Sequence, residues 1–444
     1  MTAIDRNTSH PGYWPSAWPV ECGGNRRQKA SPDRLDAASR TANVTSVRNN
    51  RWNVMVIERD PGQWYVGGTM AHFSGPSPFG WVQRLDPTSL EPLATSADLP
   101  CGDHVWCGAI LAHANGSIMS VNGSYLHRLD PDDLSVMVER ELPADRSHNG
   151  LLALADGTLI TKDLRLEGQG GTTISRLDPG TLDLVGAPIT LPEGSMGRIA
   201  SDLTDDGEHV YVPGAEHLWR LAVDGDTLLI DDWKPRYRQA HDDHGLAWDA
   251  CLSDGACWVM DCGDIESVRQ IHTTEPNGRF DEPPGKKLSW RLPAPWSGAQ
   301  RLIRVSLDDP DDIAEIEPFG LPGGGIIAPP VHVPEQQMAI AWDSVNGGLA
   351  GVDTSGDSLK VKWHLDDVRP SMQPVVFPTS GELAINDFTD DGTDDIIVVD
   401  IATGAVLDRV DTGSRIGNGM FLTADGNGGL FYCSTLSMAR VSWR

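Results

Sequence analysis

The chain has 444 residues, of which 39% are hydrophobic and 22% are charged, a composition that can bury a sizeable core. Its 63 acidic residues outnumber 35 Lys and Arg residues, which leaves a formal net charge of −28. A surface of this sign repels phosphate backbones, so it argues against a nucleic-acid partner and favours solubility.

The cellular setting follows from features that the sequence lacks. No apolar run approaches the roughly 18 residues that span a bilayer. The N-terminal stretch shows no basic segment followed by an apolar one, as a secretory signal would. Seven cysteines, an odd number, fit reduced thiols better than a disulfide framework. We therefore expect an acidic cytoplasmic protein without a membrane partner, and we leave its oligomeric state open.

Two regions are distinguished by composition and repetition. Residues 1–40, rich in Pro, Trp, Asn and Arg, are expected to form an extended arm. From residue 41 onward, Arg-Leu-Asp-Pro occurs at 84–87, 128–131 and 176–179, which are spacings of 44 and 48 residues. Asp-Pro is turn chemistry, because Pro presets φ and the Asp side chain caps the turn. A period of this length with four short strands per unit is typical of a β-propeller. We predict an all-β fold with a single propeller over residues 41–444.

The number of units predicts how the ring closes. Eight units are expected, with seven blades and a decorated extra unit as the alternative. They begin near Trp52, Val105, Asn149, Gly197, His244, Pro329, Gln373 and Asn418. The last unit ends after three strands, so a strand at Asn43–Val47 is expected to pair with it and close the ring. A longer spacing in the fifth unit predicts an insertion at about 263–300, rising as a lid over one face.

A candidate site lies where the innermost strands begin, since these positions ring one mouth of the central channel. Polar residues are frequent there, which predicts a binding site for a small polar molecule. The candidate substrate-binding residues are His104, Trp106, Asn149, Gln373 and Asn418. The candidate catalytic residues are His244, His148, Asp243, His241 and Arg198. A solvated channel mouth without a ligand is the alternative.

The stretch His241-Asp-Asp-His244 combines two imidazoles with two carboxylates on a loop that enters the channel. Such a set can hold a transition metal with open positions. With His104 and His148 it resembles the four-His iron centre of carotenoid-cleaving oxygenases. The same histidines can instead serve as general acid and base near neutral pH.

An acidic loop runs from Asp387 to Asp395, with Gly392 at its sharp turn. Oxygen ligands at alternate positions are what calcium requires. The loop resembles the calcium loops of integrin-type propeller blades. This resemblance implies a structural calcium ion held by Asp387, Thr389, Asp391 and Asp395.

A third motif is the segment from Ser147 to Asp163, which contains Asn149-Gly150 at the start of a strand. Asn418-Gly419 is a second match. Both resemble strands of calcium-dependent lactonases of the gluconolactonase type and of strictosidine-synthase-like propellers. The resemblance implies a channel cation held by Asn149 and Asn418, with His148 or His244 transferring protons. The histidine His244 is also a candidate channel ligand.

The sequence indicates the reaction less directly than it indicates the fold. The segment 397–404 resembles one blade repeat of quinone-cofactor dehydrogenases. Our interpretation is a channel-mouth site in a propeller, favouring an enzyme that hydrolyses a lactone or ester with a divalent metal such as calcium. A metal- or quinone-dependent oxidoreductase or oxygenase is an alternative, and a non-catalytic binding or scaffold propeller is another.

Overall fold

The computed structural model describes residues 10–70, 78–238, 244–264, 298–326, 328–389, 391–414 and 419–444. Regular structure in these ranges consists of β-strands and three single-turn 3-10 helices, at Glu21–Gly23, Ala37–Ser39 and Pro334–Gln336. None of the helices described is long and apolar enough to cross a bilayer. The fold is all-β, as predicted.

The strands described form seven sheets, which we number in chain order. The first sheet joins both ends of the chain, in the strand order β30-β31-β1-β2-β3-β4 with β5 paired to β3. Its strands are β1 (Ala42–Glu58), β2 (Trp64–Met70), β3 (Phe79–Leu85), β4 (Pro92–Thr95), β5 (Leu99–Pro100), β30 (Gly419–Ala424) and β31 (Gly429–Trp443).

Each of the other six sheets contains four antiparallel strands in chain order. The second and third sheets contain β6 (Cys107–Ala112), β7 (Ile118–Asn122), β8 (Tyr125–Leu129), β9 (Val136–Glu141), β10 (His148–Ala153), β11 (Leu159–Asp163), β12 (Thr173–Leu177) and β13 (Ile189–Thr190). The fourth and fifth contain β14 (Ala200–Thr204), β15 (Gly207–Pro213), β16 (Leu218–Asp224), β17 (Thr227–Ile230), β18 (Cys251–Ser253), β19 (Ala256–Met260), β20 (Leu302–Ser306) and β21 (Ile313–Ile316). The sixth and seventh contain β22 (Val331–Val333), β23 (Met338–Trp342), β24 (Leu349–Asp353), β25 (Lys360–Leu365), β26 (Val375–Phe377), β27 (Glu382–Phe388), β28 (Asp394–Asp400) and β29 (Val406–Ser414).

The repeated Arg-Leu-Asp-Pro motif forms the turn between the third and fourth strands of a sheet. In the first copy, Asp86 Oδ1 accepts hydrogen bonds from the backbone N–H groups of Thr88 and Ser89. The turn then places Leu90 at φ 63° with its side chain buried. The equivalent residues of the next two copies, Leu134 and Leu182, have φ values of 61° and 59°. Local turn chemistry therefore explains why the motif recurs.

The arginine of the motif connects neighbouring sheets. Arg128 Nη1 donates to the carbonyl of Gly180, in the turn of the third sheet, at 3.0 Å. Arg176 Nη1 likewise donates to the carbonyl of Gly225, in the turn between β16 and β17 of the fourth sheet. Each motif thus supplies both a turn and a link to the next sheet.

Both ends of the chain meet in the first sheet. Residues Ala42–Arg48 pair with Ser437–Trp443, and after a register shift Trp52–Glu58 pair with β2. The strand predicted at 43–47 therefore closes the ring against the C-terminal unit. Division of the first sheet at this shift separates β30, β31 and the first half of β1 from the second half of β1, β2, β3 and β4. Eight groups of strands would result, and the blade count stays a prediction.

The innermost strands of successive sheets lie beside one another around the channel, as β1 does with β6, β6 with β10 and β26 with β30. Apolar side chains between the sheets form the core. The channel is therefore bounded by strands whose first residues lie at one mouth and whose last residues lie at the other.

Residues 10–37, called the N-terminal strap below, cross the far ends of the innermost strands. The strap forms backbone hydrogen bonds with five sheets, in each case with a residue of the innermost strand. These bonds are Trp14 N to Ala112 O, Glu58 N to Trp18 O, Ser201 N to Asn25 O, Leu252 N to Arg26 O and Ser31 N to Val376 O, at 2.8–3.0 Å. Within the part of the predicted arm that the structure describes, residues 10–40, many side chains are buried, and the boundary of the arm stays a prediction.

Candidate active site in the central channel

The described mouth residues of the third, fourth and seventh units lie inside the channel. Asn149, Arg198 and Gln373 are each at most 2% exposed. The half-buried Trp106 lies beside them and donates from Nε1 to Asn149 Oδ1 at 3.0 Å. Asn53, by contrast, donates to the carbonyls of Ser434 and Ser437 within the first sheet. Of the predicted site residues, His241, Asp243 and Asn418 lie outside the described residues.

Two residues of the strap reach into the channel and complete a buried charge cluster. This central charge cluster consists of Glu21, Arg27, Arg198 and Asp249. Arg27 Nη2 lies 2.6 Å from Glu21 Oε1 and 2.9 Å from Asp249 Oδ2. Arg198 Nε lies 2.8 Å from Glu21 Oε2, and its backbone N–H donates to Asp249 Oδ1 at 2.7 Å. Two carboxylates therefore balance two guanidinium groups.

The environment of this cluster is dry, because all four side chains are at most 2% exposed. A buried ion pair stabilises little relative to an apolar pair, yet loss of one partner costs about 3–5 kcal/mol because the other charge stays buried. The cluster thus couples the position of the strap to the channel wall.

Hydrogen-bonding capacity remains beside the cluster. Among the residues described, Arg198 Nη2 and Gln373 Nε2 are buried without a hydrogen-bond acceptor. Gln373 accepts from the Cys22 thiol through Oε1, at 3.3 Å. The guanidinium of Arg198 lies 4.6 Å from the ring centroid of Phe421 and 5.6 Å from that of Trp106. Two fixed donors in an aromatic setting are suited to a carbonyl or carboxylate oxygen.

A second group of polar side chains surrounds His244, which is 4% exposed. Its Nδ1 lies 3.2 Å from Asp261 Oδ2. Arg301 holds the same carboxylate through its backbone N–H, at 2.7 Å, and through Nε, at 2.8 Å. A Cβ atom built on Gly298 would lie 2.7 Å from His244 Nε2, so the imidazole packs under the backbone at the end of the predicted lid. Residues 265–297 of that lid lie outside the described residues.

The position of His244 differs from the prediction. The innermost strand of the fifth sheet begins at Cys251, and the residue that bonds Arg198 is Asp249, five positions after His244. The unit start predicted at His244 is thus too early, since the chain approaches the strand in an irregular stretch that carries no periodic pattern. His244 therefore belongs to the entrance, and Asp249 belongs to the ring of Asn149 and Arg198.

Two buried basic side chains, those of His148 and Lys162, lie on strands of the third sheet. Burial lowers the pKa of His148 to about 4, and its Nδ1 lies 3.0 Å from the carbonyl of Arg146. Burial also lowers the pKa of Lys162 to about 7, against the opposing effect of the Asp163 carboxylate. Lys162 Nζ donates to the carbonyl of Ser195 at 2.9 Å. His148 is neutral at pH 7 in this environment.

The remaining candidates lie apart from this centre. His104 is at the surface, with Nε2 3.0 Å from the exposed Asp145 carboxylate. Another buried histidine, His332, which was not among the candidates, stacks on Trp258 with ring centroids 4.6 Å apart. All seven cysteines are free and buried, and burial raises the pKa of Cys107 to about 12. The four-His arrangement is therefore not assembled by the described histidines.

The described residues do not fit a metal in the channel. Asn149 uses Oδ1 to accept from Trp106 and Nδ2 to donate to the carbonyl of Met196. The carboxylates of Glu21 and Asp249 are bound by arginines. The described part of the chain contains no group of three or more His, Cys, Asp or Glu side chains placed to hold a metal ion.

The acidic loop of the seventh sheet gives a similar result. Arg409 Nη1 lies 2.7 Å from Asp387 Oδ2 and 3.1 Å from Asp395 Oδ2, so a guanidinium occupies the space between the two carboxylates. Thr389 Oγ1 bonds Thr393 Oγ1 at 2.7 Å, and Asp391 is exposed. The oxygen atoms of this loop that the structure describes are therefore arranged around an arginine side chain and not around a calcium ion.

From the sequence, five of these residues were not identified as part of the site, namely Glu21, Arg27, Asp249, Asp261 and Arg301. The one available signal was charge within the arm, where Glu21 and Arg27 lie in a stretch with Trp and Gly. Charged residues in a solvated segment show no regular spacing along the sequence. The local sequence therefore does not indicate which part of the channel wall they will contact.

No family model and no curated protein matches the chain. Solved structures do resemble it. Sqt1 of Chaetomium thermophilum, solved with the N-terminus of a ribosomal protein, is 14% identical with a TM-score of 0.59, covering 89% of this chain and 98% of Sqt1. A quinohemoprotein alcohol dehydrogenase of Pseudomonas putida is 12% identical with a TM-score of 0.61, covering 98% and 81%. A europium-containing methanol dehydrogenase is 13% identical with a TM-score of 0.59, covering 96% and 90%. At these identities the likeness concerns the fold alone, and the fold of this chain is a β-propeller.

Proposed function

We propose that this propeller binds a small polar molecule at the channel mouth and hydrolyses a lactone or related ester there. The observation that carries the proposal is the buried pair of His244 and Asp261 under the backbone of Gly298. A carboxylate that holds Nδ1 of an imidazole leaves Nε2 as the basic nitrogen, which is the arrangement of a general base.

The reaction follows from this geometry. His244 Nε2 takes a proton from a water molecule, whose oxygen attacks the ester carbonyl carbon and forms a new C–O bond. The C–O bond to the leaving alkoxide then breaks, and the imidazolium returns its proton to that oxygen. Asp261 stabilises the imidazolium while Arg301 fixes the carboxylate. Base catalysis of this kind contributes about 10²–10⁴-fold in rate.

Substrate binding is assigned to the donors beside the central charge cluster. Arg198 Nη2 and Gln373 Nε2 are suited to carbonyl or carboxylate oxygens, and the Trp106 ring offers an apolar face at the mouth. We derive no step through a metal ion, since the described donors of the channel are engaged with arginines and backbone groups.

The test is hydrolysis of a panel of γ- and δ-lactones and p-nitrophenyl acetate by the purified protein. We expect His244→Gln and Asp261→Asn to lower kcat by about 10²-fold or more. The matched control is His364→Gln, because His364 Nδ1 also pairs with a carboxylate, that of Asp366 at 2.9 Å, but on the surface. EDTA should leave the rate unchanged, and a rate that EDTA abolishes would instead support the metal-assisted version of the hydrolysis.

A non-catalytic binding propeller is the second candidate. The N-terminal strap favours it, because backbone hydrogen bonds hold this segment against the innermost strands of five sheets, where it would help to retain a ligand in the channel. Absence of turnover with every lactone and ester, together with saturable binding of a substrate analogue, would favour this candidate.

A further inference from the structure

A cavity separate from the channel site lies beside the point where β1 changes partner. Its volume is about 320 Å³, near the lower end of the usual range for small-molecule pockets. It is lined by Val47, Arg48, Asn49, Arg51, Met70, Phe79, Gln83, Leu90, Glu91 and Pro92. The cavity therefore combines residues of the ring-closing strand with residues of β2, β3 and the turn before β4.

Its charge is unusual in this acidic protein. Most described arginines form ion pairs, as Arg40 does with Asp36 and Arg440 does with Asp425. Within the described chain neither Arg48 nor Arg51 has a carboxylate partner, and Arg51 Nη1 is buried without a hydrogen-bond acceptor. The one acidic residue of the lining, Glu91, is exposed. The lining thus carries an excess of positive charge.

The arginines belong to an ordered bend rather than to a free loop. Asn49 and Asn53 exchange amide hydrogen bonds, at 2.8 and 3.0 Å, across the register shift of β1. Arg51 has its guanidinium carbon 5.2 Å from the Trp81 ring centroid. Aromatic contact and the bonded bend restrict the guanidinium, which lowers the entropy cost of binding an anion.

Asn49 and Gln83 are polar, and Val47, Met70, Phe79 and Leu90 supply most of the apolar part of the lining. We propose that this cavity binds an organic carboxylate that carries a small apolar group. A carboxylate accepts two parallel N–H bonds from a guanidinium, and the apolar group would cover the Met70 and Phe79 side. Inorganic anions lack the apolar part, and a neutral amide of the same shape offers Arg51 one uncharged acceptor oxygen instead of two charged ones.

Calorimetric titration of the full chain with 3-phenylpropanoate, and separately with 3-phenylpropanamide, tests the proposal. We expect saturable 1:1 binding of the carboxylate, at least about 10-fold tighter than the amide, since a hydrogen bond to a charged group contributes this much. Binding should weaken as ionic strength rises. Equal affinity for acid and amide, or no binding of the acid, would overturn the proposal.

Variants locate the site. Arg51→Met, which keeps an apolar stem over Trp81, and Arg48→Ala should each lower the affinity about 10-fold or more, whereas Arg146→Ala should not change it. Arg146 is a suitable control because it donates only a 3.4 Å bond to Gln169 on the surface. An unchanged thermal midpoint shows that each variant folds. Unaltered affinity in both cavity variants contradicts the assignment.

The source of the carboxylate is tested with an acetylated dipeptide that ends in phenylalanine. Tighter binding of its free acid than of 3-phenylpropanoate indicates a peptide C-terminus, and weaker binding indicates a free small acid. Either result supports a carboxylate site. Catalysis by His244 is measured independently, so failure of one proposal leaves the other unaffected.

Discussion

The central charge cluster and the Asp387 loop are built from the same groups, yet they differ in solvent contact. Each places two carboxylates around an arginine at 2.6–3.1 Å. Arg27 is 1% exposed at its side chain, whereas Arg409 is 44% exposed. We therefore expect the ion pairs of Arg27 to contribute more to stability than those of Arg409.

The physical reason is desolvation. In the channel, removal of one charge leaves its partners without water or counterion, and this cost exceeds that of an ordinary mutation. On the surface, water and salt replace the missing partner, and the measured worth of such pairs is about 0–1 kcal/mol. The predictions below test this difference, beginning with the largest effect.

Arg27→Ala should lower the free energy of unfolding by about 3–5 kcal/mol, because Glu21 and Asp249 lose a shared partner in a dry site. Chemical denaturation measures the change. The matched control is Arg34→Ala, in which an arginine of the same strap loses its pair with Asp36 at the surface, and no measurable change is expected. Equal effects of the two substitutions would show that the channel is hydrated.

Lys162 tests whether the wall beside the cluster is dry. Its folded pKa is lowered to about 7, below the ordinary 10.5, so between these values the unfolded chain binds a proton that the folded protein does not. Stability should therefore rise with pH from 7 to 10, by roughly 3–4 kcal/mol from this group. Lys162→Met should remove that slope in denaturation series, while the slope in Lys360→Met, an exposed lysine, should match wild type.

His148 makes a similar test at lower pH. Because burial lowers its pKa from 6.5 to about 4, the unfolded state binds the extra proton in this window and stability should fall as pH drops from 6.5 to 4. The loss due to this group is about 2–3 kcal/mol. His148→Gln should flatten the profile relative to wild type. An identical profile would mean that the imidazole reaches water.

Arg409→Gln should have the smallest effect of these substitutions, because the Arg409 side chain is 44% exposed and water can reach the space it leaves, although its partners Asp387 and Asp395 are 4% and 13% exposed. The same variant examines the calcium prediction for Asp387, Thr389, Asp391 and Asp395, since it removes the guanidinium between the carboxylates. A thermal midpoint that rises with calcium in the variant and not in wild type would show that arginine and calcium compete for one site. No response in either protein would contradict a calcium loop.

The site residues that were predicted from sequence all lie where an innermost strand begins. Asn149, Arg198 and Gln373 were assigned to the channel because the period of the repeat fixes where each innermost strand begins. Asp249 was missed because the fifth unit enters its strand through an irregular stretch. Asp261 was missed because its role depends on pairing with His244 and Arg301 in three dimensions.

The sequence by itself determined the class of fold, the strand-turn repeat and the closing strand near residue 43, since turn chemistry and strand alternation act over a few residues. Only the tertiary structure decided where the strap runs and which charges face one another. Cys22 meets Gln373 across 351 positions, and Arg27 meets Asp249 across 222. Such contacts arise from burial and electrostatics between distant segments, which leave no periodic trace along the chain.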